Sequence, residues 1–213
     1  MSIKNIPNIK FIPAGHRCHP HILDFVVAHA SIGSYLSAYH GQAVTTFAPT
    51  LLPIGPQYPS CSIAGQASGK TINFVPDDVL RDVFVNNVRT PDIPYLEHLT
   101  FTQIAGVGTD ALAETIEGFA QAMFTRYWES NLAAIQQVHG QRRNGAWPQV
   151  LQFAAIVRDA MSHGGTLHMF PSVAPATHFG LTYTPSMNGQ RIIHNDLTGA
   201  DIFVLMLDID ASF

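Results

Sequence analysis

The amino-acid sequence predicts a mainly α fold, a helical bundle with a small C-terminal β-hairpin and an irregular N-terminal extension. Three observations lead to this prediction. The long segment 109–138 carries apolar side chains at helical spacing. A second apolar helix, 147–164, returns after a short basic loop. Proline and glycine repeatedly interrupt the first part of the chain. We therefore expect an N-terminal extension at 1–76 and a helical domain at 77–213.

The N-terminal extension is expected to contain one helix and several extended segments. Residues 21–39 place apolar side chains on one face and predict the helix. Residues 41–73 are rich in Pro, Gly, Ser and Thr, which favours short strands or extended loops. Residues 64–71 match a relaxed phosphate-loop pattern, but the chain after them reads as extended. A phosphate loop needs a following helix whose N-terminus receives the anion, so we expect no nucleotide-binding loop there.

A run rich in histidine and cysteine precedes the first predicted helix. His16, Cys18, His19 and His21 offer the side chains that zinc prefers. No second ligand pair stands at a finger-like spacing, so a loop with solvated histidines is the favoured interpretation. We expect no metal site and no cofactor.

Three helices are expected at the start of the helical domain. The first two are short, at 77–87 and 95–104, and Asp77 and Asp78 suit the positive end of the first. The third, 109–138, carries two apolar stripes. Two stripes require two packing partners, which is typical of a helix inside a bundle.

The C-terminal region predicts a hairpin followed by a helix. A strand at 178–183 and a return strand at 191–193 flank the turn sequence Met-Asn-Gly. Thr198 and Asp201 have the spacing of a capping box ahead of the apolar run 202–209. This run predicts a helix, although its continuous apolar residues would also suit a third strand.

Four polar side chains stand at the end of the apolar helix 147–164: Arg158, Asp159, Ser162 and His163. Asp159 and His163 are four residues apart, so they share a helix face and can form a hydrogen bond. Arg158 and His163 are about 140° apart around a helix with 3.6 residues per turn. One helix therefore aligns that pair poorly, whereas a second copy packed alongside could supply the missing partner. We expect a homodimer through this helix.

The overall composition excludes several classes of protein. The chain has 213 residues, of which 46% are hydrophobic, so it can bury a sizeable core. A net charge of −4 excludes a general nucleic-acid coat. Arginine outnumbers lysine among the basic residues, which suits local recognition of phosphate or carboxylate. Two cysteines, with no secretory signal and no membrane-length apolar run, indicate the reducing cytoplasm.

The sequence RDAMSHG at 158–164 resembles the signature of the HEPN superfamily (higher eukaryote and prokaryote nucleotide-binding domains). That signature is an arginine, a polar residue directly after it, and a histidine near the end of a helix. The preceding long helix and basic loop are similar to the core helical pair of the family. The resemblance covers about 109–210 and implies a metal-independent endoribonuclease that acts as a dimer.

The resemblance also implies roles for individual residues. His163 would be the general base or acid, Arg158 would stabilise charge on the phosphate, and Asp159 would orient the imidazole. The expected biological role is a toxin or phage-defence effector, with an antitoxin or defence protein as its partner. The alternative is a catalytically inactive dimeric scaffold, or a module that binds RNA or nucleotides. Further contacts to substrate would come from Arg126, Arg142, Arg143, Ser162 and His168.

Overall fold

The chain has a mixed α/β fold, which corrects the mainly α bundle expected from the sequence. It is built as two compact units, Met1–Ala64 with Lys70–Phe101 and Gly65–Gly69 with Thr102–Phe213. No helix in the described part of the chain is long and apolar enough to cross a membrane. A computed structural model describes residues 8–40, 61–99, 111–141 and 147–213, with the backbone alone described at 33–40, 61–62 and 111–114.

The described part of the first unit contains a four-stranded antiparallel sheet and two helices. In chain order its elements are β1 (Lys10–Ile12), α1 (His19–His40), β2 (Cys61–Ala64), β3 (Lys70–Phe74), α2 (Pro76–Phe84) and β4 (Ile93–Leu99). The strand order in the sheet is β1-β4-β3-β2. Helices α1 and α2 confirm the helices predicted at 21–39 and 77–87.

Strand β4 shows why a mainly α fold was the wrong prediction. The short helix predicted at 95–104 is wrong, because residues 95–99 belong to this central strand and the rest lie outside the described residues. The strand pairs on both edges and its first four residues, Ile93 to Leu96, are all buried. A short, continuous apolar run of this kind fits a buried strand as well as a buried helix.

In its described residues, the second unit contains three helices and a small hairpin. Its elements are α3 (Ala111–His139), α4 (Gln149–Ser162), β5 (Ala176–His178), β6 (Leu181–Tyr183), a single 3₁₀ turn (Pro185–Met187) and α5 (Gly199–Asp210). Helices α3 and α4 confirm the two long helices predicted from periodicity. Helix α5 confirms the predicted capping box and helix, and its apolar side chains are buried almost throughout. Burial on all sides explains why its sequence also resembles a strand.

The C-terminal hairpin exists, but it lies earlier than predicted. The residues expected to form one strand at 178–183 instead turn back within it, at Phe179 and Gly180. Both turn residues have positive φ, of 52° and 77°. A phenylalanine rarely adopts that conformation, so the sequence carries little signal for this turn. The stronger turn signal at 187–189 ends the 3₁₀ segment instead.

The loop 65–69 belongs to the second unit because Asp201 binds it. Asp201 Oδ2 accepts the Thr198 N–H at 2.9 Å, which completes the capping box at the start of α5. The same carboxylate accepts backbone N–H groups from Gln66 and Ser68 at 2.8 and 2.7 Å, and from Ala67 at 3.2 Å. These N–H groups form an anion-binding nest that a side chain of the protein itself fills. A strand rather than a helix follows the loop, as the sequence predicted.

Candidate active site at the end of helix α4

Helix α4 ends where two successive glycines turn the chain back. Gly164 and Gly165 have φ values of 68° and 83°, and the Gly165 N–H donates to the Ala160 carbonyl at 2.8 Å. A Cβ at Gly165 would lie 3.0 Å from the Cβ of Ile193, so a side chain there would crowd Ile193 as well as strain the backbone. The glycine stop predicted from the sequence is confirmed. It leaves His163 as the C-cap residue, directly after the last helical residue, Ser162.

The imidazole of His163 is oriented by the helix that carries it. Its Nδ1 lies 2.8 Å from the main-chain carbonyl oxygen of Asp159. A carbonyl oxygen only accepts, so Nδ1 carries the hydrogen and donates it. In the neutral ring Nε2 therefore keeps its lone pair and can accept a proton. The oxygen that orients this ring belongs to the main chain, whereas the sequence pointed to the Asp159 carboxylate.

A second imidazole lies directly on the first. The rings of His163 and His168 are stacked, with centroids 4.4 Å apart and planes 14° from parallel. Both side chains are exposed to solvent. The glycine turn makes this arrangement, because it reverses the chain and returns His168 to the helix end. The structure thus brings together two of the residues that the sequence singled out.

Arg158 lies in a different environment from His163. Its Nε and Nη2 both donate to Glu129 Oε1, at 2.9 and 2.5 Å, and its Nη1 lies 3.6 Å from Asp159 Oδ1. The guanidinium is therefore placed between two carboxylates. It lines a cleft of about 270 Å³ together with Trp128, Glu129, Leu132, Gln136, Trp147, Ala155 and Asp159. Within the described part of one chain, Arg158 and His163 make no direct contact.

The remaining predicted residues are distributed around the unit. Ser162 donates its hydroxyl to the Arg158 carbonyl at 3.3 Å, a bond within the helix. Arg126 is exposed on α3. Arg142 and Arg143 lie outside the described residues.

Sequence reasoning missed Glu129, although a signal for it exists. Helices α3 and α4 run antiparallel, with Trp147 Nε1 donating to the Gly140 carbonyl at 2.8 Å and Glu129 accepting from Arg158 further from the loop. Residues equally distant from the loop face each other in such a pair. Glu129 and Arg158 are about equally distant from the loop, so the predicted boundaries of the two helices are enough to indicate their ion pair.

Glu117 is a buried carboxyl group in the N-terminal part of α3. Its Oε1 accepts the N–H of Gly199, the first residue of α5, at 3.0 Å. Burial raises the pKa of Glu117 to about 7; the Gly199 N–H lowers it, and the nearby Asp201 carboxylate raises it further. No single position in the sequence indicates this shift, because it depends on how α3 packs against α5.

Comparisons with protein-family models, curated proteins and solved structures find no match for this chain. The resemblance to the HEPN superfamily therefore stays a prediction that rests on the motif residues at the end of α4.

Proposed function

We propose that this protein cleaves RNA without a metal ion, using the 2′-hydroxyl as nucleophile and His163 and His168 as proton carriers. The observation that carries the proposal is the orientation of His163. Its Nδ1 is occupied by the Asp159 carbonyl at 2.8 Å, so Nε2 faces outward as a base beside a second exposed imidazole. Histidine changes protonation near neutral pH, as both transfers in this reaction require.

The two imidazoles would divide the proton transfers between them. His163 Nε2 takes the proton from the 2′-hydroxyl, and that oxygen forms a bond to phosphorus. The bond from phosphorus to the 5′ oxygen then breaks, and His168 in its protonated form donates a proton to the leaving oxygen. The products are a 2′,3′-cyclic phosphate and a 5′-hydroxyl end.

Arg158 completes the site if two copies of the chain associate. In one chain its guanidinium contacts Glu129 and Asp159 rather than His163. In a homodimer packed through α4, Arg158 of one chain reaches the phosphate held at His163 of the other. A bidentate guanidinium suits the charge that builds up on the phosphate oxygens. We place such an enzyme in the cytoplasm as a toxin or phage-defence effector, restrained by an antitoxin or defence protein.

The test is RNA cleavage in the presence of EDTA, with identification of the cyclic phosphate end. His163→Ala should lower the rate by about 100-fold or more, the usual contribution of a general base. His168→Ala should also lower it. His98→Ala removes an exposed histidine from β4 and should leave the rate unchanged. Wild-type rates in the folded His163→Ala variant would remove His163 from the mechanism.

A non-catalytic dimeric scaffold, or a module that binds RNA or nucleotides, is the second candidate. The observation that favours it is the pairing of Arg158 with Glu129 and Asp159, because two carboxylates against one guanidinium leave the cleft without net positive charge. Sedimentation and turnover assays separate the two functions. A tight dimer without RNA cleavage at any pH from 5 to 8 would support the scaffold.

A further inference from the structure

We infer that the surface beside His163 is a stacking platform for single-stranded RNA, formed by His163, His168, Phe170 and Arg191. A base would lie on Phe170, and a phosphate would contact Arg191. The inference rests on the proposed function, because it names the class of substrate at the same site. It extends that function to Phe170 and Arg191, which the reaction itself does not use.

The first support is the alternation of exposed and buried side chains after helix α4. Leu167 and Met169 are only 2% and 4% exposed, whereas His168 is exposed and Phe170 is 67% exposed. Alternate residues of an extended segment point to the same side. The histidine and the phenylalanine therefore share one outward face, and the apolar residues between them anchor the segment in the core.

The second support is the way in which the backbone of this segment is fixed. The Asn188 side chain accepts the Met169 N–H and donates to the Met169 carbonyl, both at 2.7 Å. The Leu167 N–H donates to Gln190, and its carbonyl accepts from Gly189, at 2.9 and 3.0 Å. Both anchoring residues are thus held on their N–H and carbonyl sides. An aromatic ring presented on a fixed backbone loses little freedom when it binds a ligand.

The third support is the geometry of the three rings. His163 and His168 lie parallel, and His168 meets Phe170 edge to face, with centroids 5.7 Å apart and an angle of 79°. The phenyl ring keeps most of its surface in solvent. Exposed aromatic faces of this kind are the surfaces on which unpaired bases stack, with little dependence on base identity.

Arg191 supplies the charge that a nucleic acid requires. It forms an antiparallel bridge with Thr166, and residues directly opposite each other in such a pair point to the same side. Thr166 precedes His168 and Phe170 by two and four residues, so Arg191 lies on their face. Among the described residues, no carboxylate forms an ion pair with Arg191. On this face the Arg191 guanidinium suits a phosphate, the phenyl ring of Phe170 suits a base, and the two imidazoles suit the ribose between them.

The test measures binding separately from cleavage, with a 2′-O-methyl oligonucleotide that has no nucleophile. Phe170→Ala should weaken its affinity about tenfold, as loss of one stacked base does. Phe170→Trp should retain the affinity. Phe84→Ala is the matched control, because it removes a phenylalanine that is 65% exposed on α2 and should change nothing.

The contribution of Arg191 is read from the salt dependence of the same binding. Arg191→Gln should reduce the slope of log affinity against log salt by about 0.7, the value for one phosphate contact to a single strand. Arg89→Gln, which removes another exposed arginine, should keep the wild-type slope.

Three outcomes would overturn the platform: no binding of the single strand, unchanged affinity in Phe170→Ala, or equal affinity for a duplex of the same sequence. The proposed function fails separately. If the single strand binds through Phe170 but no RNA is cut, the platform stands and the nuclease proposal is lost. If RNA is cut in a His163-dependent manner while Phe170→Ala binds normally, only the platform is lost.

Discussion

Glu117 shows how one buried residue makes stability depend on pH. Burial raises its pKa from 4.5 to about 7 in the folded chain. Between these two values the folded state holds a proton that the unfolded state has released. Stability therefore falls as pH rises from about 4.5 to 7, and the loss is complete above that range. This direction is opposite to that of an ordinary ion-paired carboxylate.

We predict that Glu117→Gln removes this part of the pH dependence. Glutamine keeps an oxygen to accept the Gly199 N–H but cannot ionise. From pH 4.5 to 8, the wild-type chain should lose about 3 kcal/mol more unfolding free energy than the variant. Urea unfolding at several pH values measures the difference. The exposed Asp92→Asn change should keep the wild-type profile, and parallel curves for wild type and Glu117→Gln would show that Glu117 does not titrate in this range.

Single residues of the candidate site differ in how far the sequence could predict them. The position of His163 at the end of an apolar helix, directly before two glycines, can be read from the sequence. The tautomer of His163 follows from the carbonyl four residues earlier, which is one of the carbonyl groups left without a backbone partner at the end of a helix. The stack with His168 could not be predicted, since it depends on the angle at which the glycine turn returns the chain.

At the scale of elements, the start of α5 is fixed by contacts from distant parts of the chain. Asp201 caps its own helix and also accepts the backbone N–H groups of Gln66, Ala67 and Ser68. An ordinary capping residue contributes about 1 kcal/mol. Here a single carboxylate holds both the end of the helix and a loop that precedes it by more than a hundred residues.

We predict that Asp201→Asn costs about 3 kcal/mol of stability, because asparagine has only one oxygen to accept these N–H groups and carries no charge. Chemical denaturation followed by helical circular dichroism measures the loss. Asp77→Asn is the matched control at an exposed residue in the first turn of α2, and its cost should stay below about 1 kcal/mol. Equal costs at the two positions would mean that the loop adds nothing to the cap.

Periodicity predicted the long helices but assigned strand β4 to a helix, for a physical reason. The backbone hydrogen bonds of helices α3 and α4 are made within about one turn, so the apolar periodicity of each helix is visible in its own segment of sequence. Strand β4 gains its hydrogen bonds from β1 and β3, the first of which is far earlier in the chain. The sequence of residues 93–99 does not indicate which strands they will pair with. The predicted fold class was wrong because a sheet assembled from distant pieces leaves a weak local signal.

At the scale of the whole molecule, the separation of Arg158 from His163 predicts complementation between chains. In a two-fold symmetric dimer each site would take one residue from either chain. A chain with Arg158→Ala and a chain with His163→Ala would each be inactive alone. Mixed and refolded together, they should recover about a quarter of wild-type activity, since half of the dimers hold one intact site.

RNA cleavage by the mixture, set against either variant alone, measures this recovery. The control mixes Arg158→Ala with the double variant Arg158→Ala/His163→Ala. Neither chain of this mixture has Arg158, so the mixture should stay inactive. An inactive mixture of the two single variants, shown by sedimentation to contain mixed dimers, would contradict a shared site.

The hydrogen bonds between Asp201 and residues 66–68 constrain how recombination could rearrange this protein. A crossover near residue 101 would transfer α3, α4 and α5 while leaving behind the loop whose N–H groups surround that carboxylate. The transferred part would then carry the Asp201 carboxylate without the backbone N–H groups of residues 66–68 that donate to it. Exchange of this part of the protein as an independent module is therefore disfavoured, and its ancestry should follow that of the β2–β3 loop.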